Sequence, residues 1–411
     1  MTVTRNHDPV AVTGLGLVTP AGIGVDASWS QILAGESAAA KDPNLEGVGV
    51  DISCRVPGFD AAELLGRKHA RRLDRFVQLA IVAAREAMAD ASLDPQMWDG
   101  TRVGVVIGCG MGGAATWETQ HRRMLEQGPG RVSAMLIPML VPNMVAGQLA
   151  MEFGAKGPNL VTATACASGA TAIGVARDLL RGGACDIVLT GGTEAGLTPL
   201  SIAGFAQMGA LSHRLDDPAA ASRPFDSGRD GFVAAEAAGV LVMERPEDAA
   251  ARGARIRAHL AGYGASADAF HATAPDPEGA GAEAAIRAAL ADADIAPSDV
   301  THVNAHGTST PLNDVSEART IKRVLGDQVI VTSTKGVTGH SLGAAGAIEA
   351  AFSVLTIETG LIPPTANLES QDPEIEIDVV AKAPREANID VVVSNSFGFG
   401  GQNAVLVVTP A

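Results

Sequence analysis

The sequence predicts a mixed α/β protein built from two similar halves, and three observations carry that prediction. Residues 87–95, AMADASLDP, recur as residues 289–297, ALADADIAP, and residues 161–169, VTATACASG, are echoed by residues 331–339, VTSTKGVTG. The matches come in the same order in both halves, and each pairs an Ala-rich helical run with a β-branched strand that enters a Gly turn and a further helix. The composition agrees: 46% hydrophobic but only 3% aromatic residues, with Gly and Ala abundant, describe a core packed close to the backbone.

The halves divide into residues 1–252 and 253–411, at the Glu/Arg-rich stretch 246–257. The matched segments lie about 30 residues closer together in the second half, which puts an insertion within about 111–158 of the first. Its Pro, Met and Gln content suits a cap over the site.

With 46 acidic and 30 basic residues the net charge is -16, which argues against a nucleic-acid surface. A local basic run, Arg67, Lys68, Arg71, Arg72 and Arg75, reads either as a solvated helix face or as a patch for an acidic partner. Residues 1–9 are polar and show no secretory signal. The longest apolar region, near 136–151, is broken by Pro138 and Pro142 and is too short to cross a bilayer, so a cytoplasmic enzyme with no membrane partner is expected. Cys54, Cys109, Cys166 and Cys185 form no CxxC pair, so reduced thiols are expected, with Cys185 a small core residue.

Chemistry gathers where strands end. Cys166 follows the strand-like run 160–164 and precedes a strong helix pattern, and a thiol at a helix N-terminus is expected to have a lowered pKa and to act as a nucleophile. His306, in NAHGTST, follows a strand, and His340, in GHSLG, precedes a helix. A lone histidine in a turn is more often a satisfied hydrogen-bonding residue. Two of them, flanked by Gly in the half that mirrors the cysteine, point to a shared site. The closing run 394–403, SNSFGFGGQN, is a Gly-rich turn suited to aiming a backbone amide at a developing oxyanion, or a plain hairpin loop. Residues 108–113, GCGMGG, formally match GxGxxG, but no strand ending in an acidic residue follows at the distance a dinucleotide site needs. His302 and His306 lack the supporting ligands of a zinc site. No cofactor and no metal is expected.

At these residues the chain resembles the elongating β-ketoacyl-[acyl carrier protein] synthases, the synthase II kind, within the thiolase-fold superfamily. The resemblance runs from residue 10 to residue 401 and rests on TACASG at 164–169, NAHGTSTP at 304–311, TKGVTGHSLGAAG at 334–346 and NSFGFGG at 395–401. It implies a thiolase-like five-layer αβαβα fold of two pseudo-symmetric βαβαβαββ halves, which agrees with the repeat. It implies Cys166 as the acyl-accepting nucleophile, His306 and His340 as the pair that promotes decarboxylation of malonyl-ACP, and Lys335 as their support with Glu317 and Glu349 as acidic neighbours. The amides of Cys166 and Phe399 then form an oxyanion hole, Thr308 and Thr310 bind the phosphopantetheine arm, and Phe399 gates the cysteine. Met111 corresponds to an acyl-pocket residue, and Arg67, Lys68 and Arg71 resemble carrier-protein docking positions. The implied partners are acyl carrier protein and a second subunit, in a homodimer or in a heterodimer with a cysteine-lacking paralogue.

Two departures stand out: Ala235 and Ala237 where relatives usually carry Gly, and Gln402 where Thr or His is commoner. The competing functions are a ketosynthase α subunit of a type II polyketide or polyene pathway and, resting on GxGxxG, a nicotinamide-dependent oxidoreductase. A degradative thiolase is disfavoured, because Phe399 stands where that group places a second cysteine. A chain-length subunit would lack Cys166.

Overall fold

Ten consecutive buried residues, Val10–Thr19, form β1 at the centre of one large sheet. The computed structural model describes residues 8–411, so most of the polar N-terminal stretch read from the sequence lies outside the described residues. After β1 the first half runs through α1 (Arg75–Asp90), β2 (Val103–Gly108), α2 (Met144–Phe153), β3 (Asn159–Thr162), α3 (Ser168–Arg181), β4 (Ile187–Glu194) and β5 (Ala237–Glu244). The second half repeats the sequence of elements with β6 (Ala258–Ala267), α4 (Ala280–Ala293), β7 (His302–Asn304), α5 (Pro311–Leu325), β8 (Ile330–Thr332), α6 (Ala345–Thr359), β9 (Val392–Gly398) and β10 (Gln402–Thr409).

From a short edge strand, Asp378–Val379, the order runs β8-β7-β9-β10-β6-β1-β5-β4-β2-β3, so the five main strands of each half have the same internal order read outward from the join. The halves meet where β1 pairs antiparallel with β6, Val10 opposite Leu260 and Val12 opposite Ala258. Helix α1 covers one face of the first sheet and α4 one face of the second, while α3 and α6 fill the layer between them with an apolar cluster that includes Ile173, Ala347, Ile348 and Phe352. This is the thiolase-like layering of helix, sheet, helix, sheet, helix.

Local chemistry explains the elements. Asp74 caps α1 by accepting from the Phe76 amide, and the helix buries Phe76, Leu79, Ala80, Ala83, Ala84 and Ala87 along one stripe. The stretch that is long and apolar enough to cross a membrane by length and composition is Leu342–Thr359, not the Pro-interrupted region near 136–151. Its residues are mostly buried in the central layer, so its hydrophobicity serves the core. The insertion folds as the helices Ala114–Gln127 and Leu136–Leu140, with Asp74 accepting from Thr116 Oγ1 at 2.5 Å to hold it against the start of α1.

His302 opens β7 fully buried, its Nδ1–H donating to the Ile330 carbonyl at 2.8 Å, and burial holds its pKa down at about 4 against an ordinary 6.5. Between those values the unfolded chain binds the proton and the folded chain does not, so acidification from pH 6.5 to 4 removes stability, on the order of 3 kcal/mol from this group. Urea unfolding measured across that range should show a shallower loss in His302→Asn than in the wild type; parallel curves would contradict it.

Candidate active site

Cys166 lies in a single 3₁₀ turn, Ala165–Ala167, between β3 and the N-terminus of α3. Ala165 enters that turn at φ 48°, in the left-handed region, which costs a residue with a Cβ about 1–3 kcal/mol and persists only where the surroundings impose it. They do: the Ser168 hydroxyl accepts from the Thr164 amide at 2.9 Å and donates to the Ala165 carbonyl at 2.6 Å. The thiol side chain is left 6% exposed. The second half has the same corner, where Leu342 at φ 49° opens the 3₁₀ turn Leu342–Ala344 ahead of α6. Strands β3 and β8 follow the sequence echo, but an extra helical turn, Lys335–Thr338, lengthens the second connection. Cys166 therefore corresponds to Gly343 and not to Gly336, and the extra turn is what delivers Lys335 and His340.

The expected lowering of the Cys166 pKa is overturned. Burial pushes the thiol up to about 11, against the nearby Lys335 charge and the Phe399 amide, which both pull it down. Removing a thiolate from water outweighs the helix end.

His306 is fixed through its backbone, since its amide and that of Gly307 donate to the Glu317 carboxylate of α5 at 2.8 and 2.7 Å, and Asn395 Nδ2 donates to the same group at 3.1 Å. His340 is fixed in the same manner, its amide donating to the Val233 carbonyl at 2.8 Å and its carbonyl accepting from the Ala235 amide at 3.0 Å. The two imidazoles stand edge to face, centroids 5.4 Å apart and planes at 84°. Phe397 packs against His306 at 5.7 Å and Phe232 against His340 at 5.2 Å. Burial, and then the Lys335 charge, hold both histidines well below their ordinary pKa, with His340 adding to the effect on His306. Both rings are therefore neutral near pH 7. Each Nδ1 is buried without a hydrogen-bond partner. A proton there would be orphaned, which favours the tautomer protonated at Nε2.

Lys335, 1% exposed, forms an ion pair with Glu349 of α6, and the Ser222 hydroxyl donates to its carbonyl at 2.6 Å. Burial raises Glu349 to about 7, with Lys335 acting against that rise.

A cavity of about 400 Å³ joins Cys166, His306, His340, Thr308, Thr310 and Phe399, and Glu317 reaches its wall. Thr308 and Thr310 hydroxyls lie 2.9 Å apart. The turn after β9 comes close because position 398 is glycine: a Cβ there would lie 2.5 Å from the Thr164 carbonyl oxygen and 3.2 Å from the Cys166 nitrogen. Leu312 and Met208 offer exposed apolar surface at the same cavity.

Other expectations fare differently. Among the described residues, none of 111–158 lines this cavity. Met111 packs against the apolar cluster that includes Cys166, held by its amide donating to Glu194 at 3.1 Å, and stands outside the cavity lining. Arg67, Lys68 and Arg71 are exposed around a short helix, also away from the lining. Arg75 leaves the basic patch, because its guanidinium is bound bidentately to the buried Glu236 at 2.6 Å for both contacts. Ala235 and Ala237 are buried, and Gln402 folds its amide over Gly400. Gly108 packs on the Ser168 backbone, which gives that glycine a packing role in place of a nucleotide one.

The sequence reading missed Glu194. This buried acid at the end of β4 accepts from the amides of Gly110 at 2.8 Å, Met111 at 3.1 Å and Gly343 at 3.3 Å, tying the loop after β2 to the corner before α6. A lone carboxylate closing the strand IVLTGGTE was the available signal.

Comparison with known proteins agrees with this arrangement. The N-terminal domain of β-ketoacyl synthases matches residues 7–249 and the C-terminal domain matches residues 257–369. The chain is 46% identical over 403 residues to a 3-oxoacyl-[acyl-carrier-protein] synthase 2 of Staphylococcus aureus, covering 97% of each. It is 36% identical, at a TM-score of 0.91 and covering 98% of this chain and 99% of the other, to a type II polyketide ketosynthase solved with its acyl-carrier protein. A similar likeness, 35% identity, TM-score 0.91 and the same coverage, relates it to the ishigamide ketosynthase/chain length factor. Matches to both domains, in order and over most of the chain, place it in the β-ketoacyl synthase family.

Proposed function

We propose that the chain catalyses the decarboxylative Claisen condensation of an acyl group with malonyl-ACP, giving β-ketoacyl-ACP in fatty-acid chain elongation. The observation that carries this reading is the pair of neutral, edge-to-face imidazoles that share one cavity with a buried thiol.

The sulfur of Cys166 attacks the acyl thioester, and the carrier sulfur leaves with the thiol proton. The amides of Cys166 and Phe399 hold the transient oxyanion. Loss of CO2 from the malonyl thioester then places negative charge on its carbonyl oxygen. Nε2–H groups of His306 and His340 stabilise that charge by donating hydrogen bonds to the oxygen while keeping their protons, so the enolate stays anionic and nucleophilic. The enolate carbon attacks the acyl carbonyl and the Cys166 thiolate departs. Lys335 supplies a buried cation near both centres of developing charge, while Glu317 and Glu349 fix His306 and Lys335. Thr308 and Thr310 bind the phosphopantetheine arm, Met111 supports the acyl pocket from behind Cys166, and Arg67, Lys68 and Arg71 receive the acidic carrier.

The polyketide reading has its own support in the two ketosynthase structures, at lower identity than the fatty-acid relatives. Co-purification with a cysteine-lacking paralogue would favour it. A homodimer is the companion proposal: β3 ends the sheet with a free edge, and Leu160 on it is 44% exposed.

In Cys166→Ala, acyl-ACP should leave no acyl mass on the protein and condensation should fall by roughly three orders of magnitude or more; an unchanged rate would refute the assignment. His306→Ala should still be acylated yet release CO2 from malonyl-ACP roughly 10²–10³-fold more slowly, and normal CO2 release in that variant would contradict the histidine's role. Sedimentation should give twice the chain mass, and Leu160→Asp should shift it toward the monomer; a wild-type monomer would remove the dimer proposal.

A further inference from the structure

Just ahead of β5, residues 233–236 form a strip of backbone outside the sheet, with His340 on one edge and residues 54–56 on the other. The His340 amide and carbonyl bond the strip at Val233 and Ala235, at 2.8 and 3.0 Å, and the Phe232 ring packs edge-on against the imidazole at 5.2 Å. On the far edge the Cys54 amide donates to the Ala234 carbonyl at 2.9 Å, and the Glu236 amide donates to the Cys54 carbonyl at 3.2 Å. Both pairings are isolated bridges, Ala234 with His340 and Ala235 with Cys54, so no ladder extends them.

The fit to His340 has no slack. A Cβ on Gly339, the residue before it, would lie 2.8 Å from the Val233 carbonyl oxygen and 2.7 Å from the Cys54 sulfur. A shift of the strip is therefore passed on to the His340 backbone.

Glu236 anchors the end of the strip. Its buried carboxylate accepts from Arg75 Nε and Nη2 at 2.6 Å each and from the Val56 amide at 3.1 Å, with Arg55 Nη1 at 3.8 Å. Arg75 is the first residue of α1, and Arg55 is bound in turn to the buried Asp42 at 2.5 Å. A forked guanidinium on a buried carboxylate fixes direction as well as distance, which a single backbone bridge does not.

We infer that Glu236, clamped by Arg75, is a positioning residue for His340: it fixes the strip that sets the imidazole at the cavity, and through it the rate of malonyl decarboxylation. The inference rests on the proposed role of His340 in decarboxylation for its kinetic reading, and on geometry alone for the placement of the ring.

Glu236→Gln keeps the shape of the side chain and removes the charge that holds the fork. CO2 release from malonyl-ACP should slow about tenfold with the KM for malonyl-ACP unchanged, while acylation of Cys166 by acyl-ACP, followed by intact-protein mass spectrometry, keeps its wild-type rate. Arg75→Gln, at a partly exposed side chain, should reproduce this split and supplies the readout if Glu236→Gln does not fold. The double variant should lose no more than either single one. In protein labelled with 15N-histidine, the His340 ring signals, assigned by their loss in His340→Asn, should shift in either single variant, while those of His302, buried on β7, stay in place. Wild-type CO2 release, acylation slowed as much as CO2 release, losses that multiply in the double variant, or unmoved His340 signals would each overturn the inference. If the wild-type chain releases no CO2 from malonyl-ACP, the proposed function fails, and the ring signals still decide the role of Glu236.

Discussion

The N-terminal turns of α3 and α6 meet backbone to backbone across the approximate symmetry of the two halves. A Cβ on Gly169 would lie 2.8 Å from the Ala347 nitrogen, and one on Gly346 would lie 2.8 Å from the Ala170 nitrogen. Neither helix can carry a side chain at that point without a shift, and the contact sets the corner at Ala165 beside the corner at Leu342. The Cys166 thiol and the His340 ring reach one cavity because of this contact.

Once the corners are in contact, water is excluded and charge becomes expensive. Four ionisable groups answer to one buried cation. Lys335 is paired with Glu349, helps keep both histidines neutral, and pulls against the burial that raises Cys166. Its position comes from the extra turn Lys335–Thr338, present in the second half and missing from the first. A site that must stabilise a thiolate and then an enolate benefits from one fixed positive charge and from donors that remain neutral.

The repeat was legible because strands and Ala-rich helices leave periodic traces, and the order of strands within each half is the same. Cys166 drew notice because it lies between a strand-like run and a helix, and His306 and His340 because each stands next to Gly. What could not be read was the sign of the Cys166 shift, since a helix N-terminus is visible in sequence while the depth of burial is not. Pro and Met mark the insertion as irregular and apolar, but not which neighbour it covers. Arg75 read as one more surface cation because its partner, Glu236, is distant in sequence and buried. Glu194 passed unnoticed because its partners are backbone amides, which no side-chain pattern announces.

The two corners share a backbone and differ in chemistry, and packing explains the difference. Gly343 is the counterpart of Cys166, each following the residue with φ near 48° that opens its turn. A Cβ on Gly343 would lie 2.6 Å from Glu194 Oε2 and 2.8 Å from the Gly110 nitrogen, so this position has no room for a thiol or any other side chain. Glu194 fills that space and uses it to bind the amides of Gly110, Met111 and Gly343, which locks the loop behind Cys166. One corner is therefore open toward the cavity and carries the Cys166 thiol, and the other is filled by the Glu194 carboxylate. Two equivalent corners present a single thiol to the cavity because the space a side chain would need at the second is taken by Glu194.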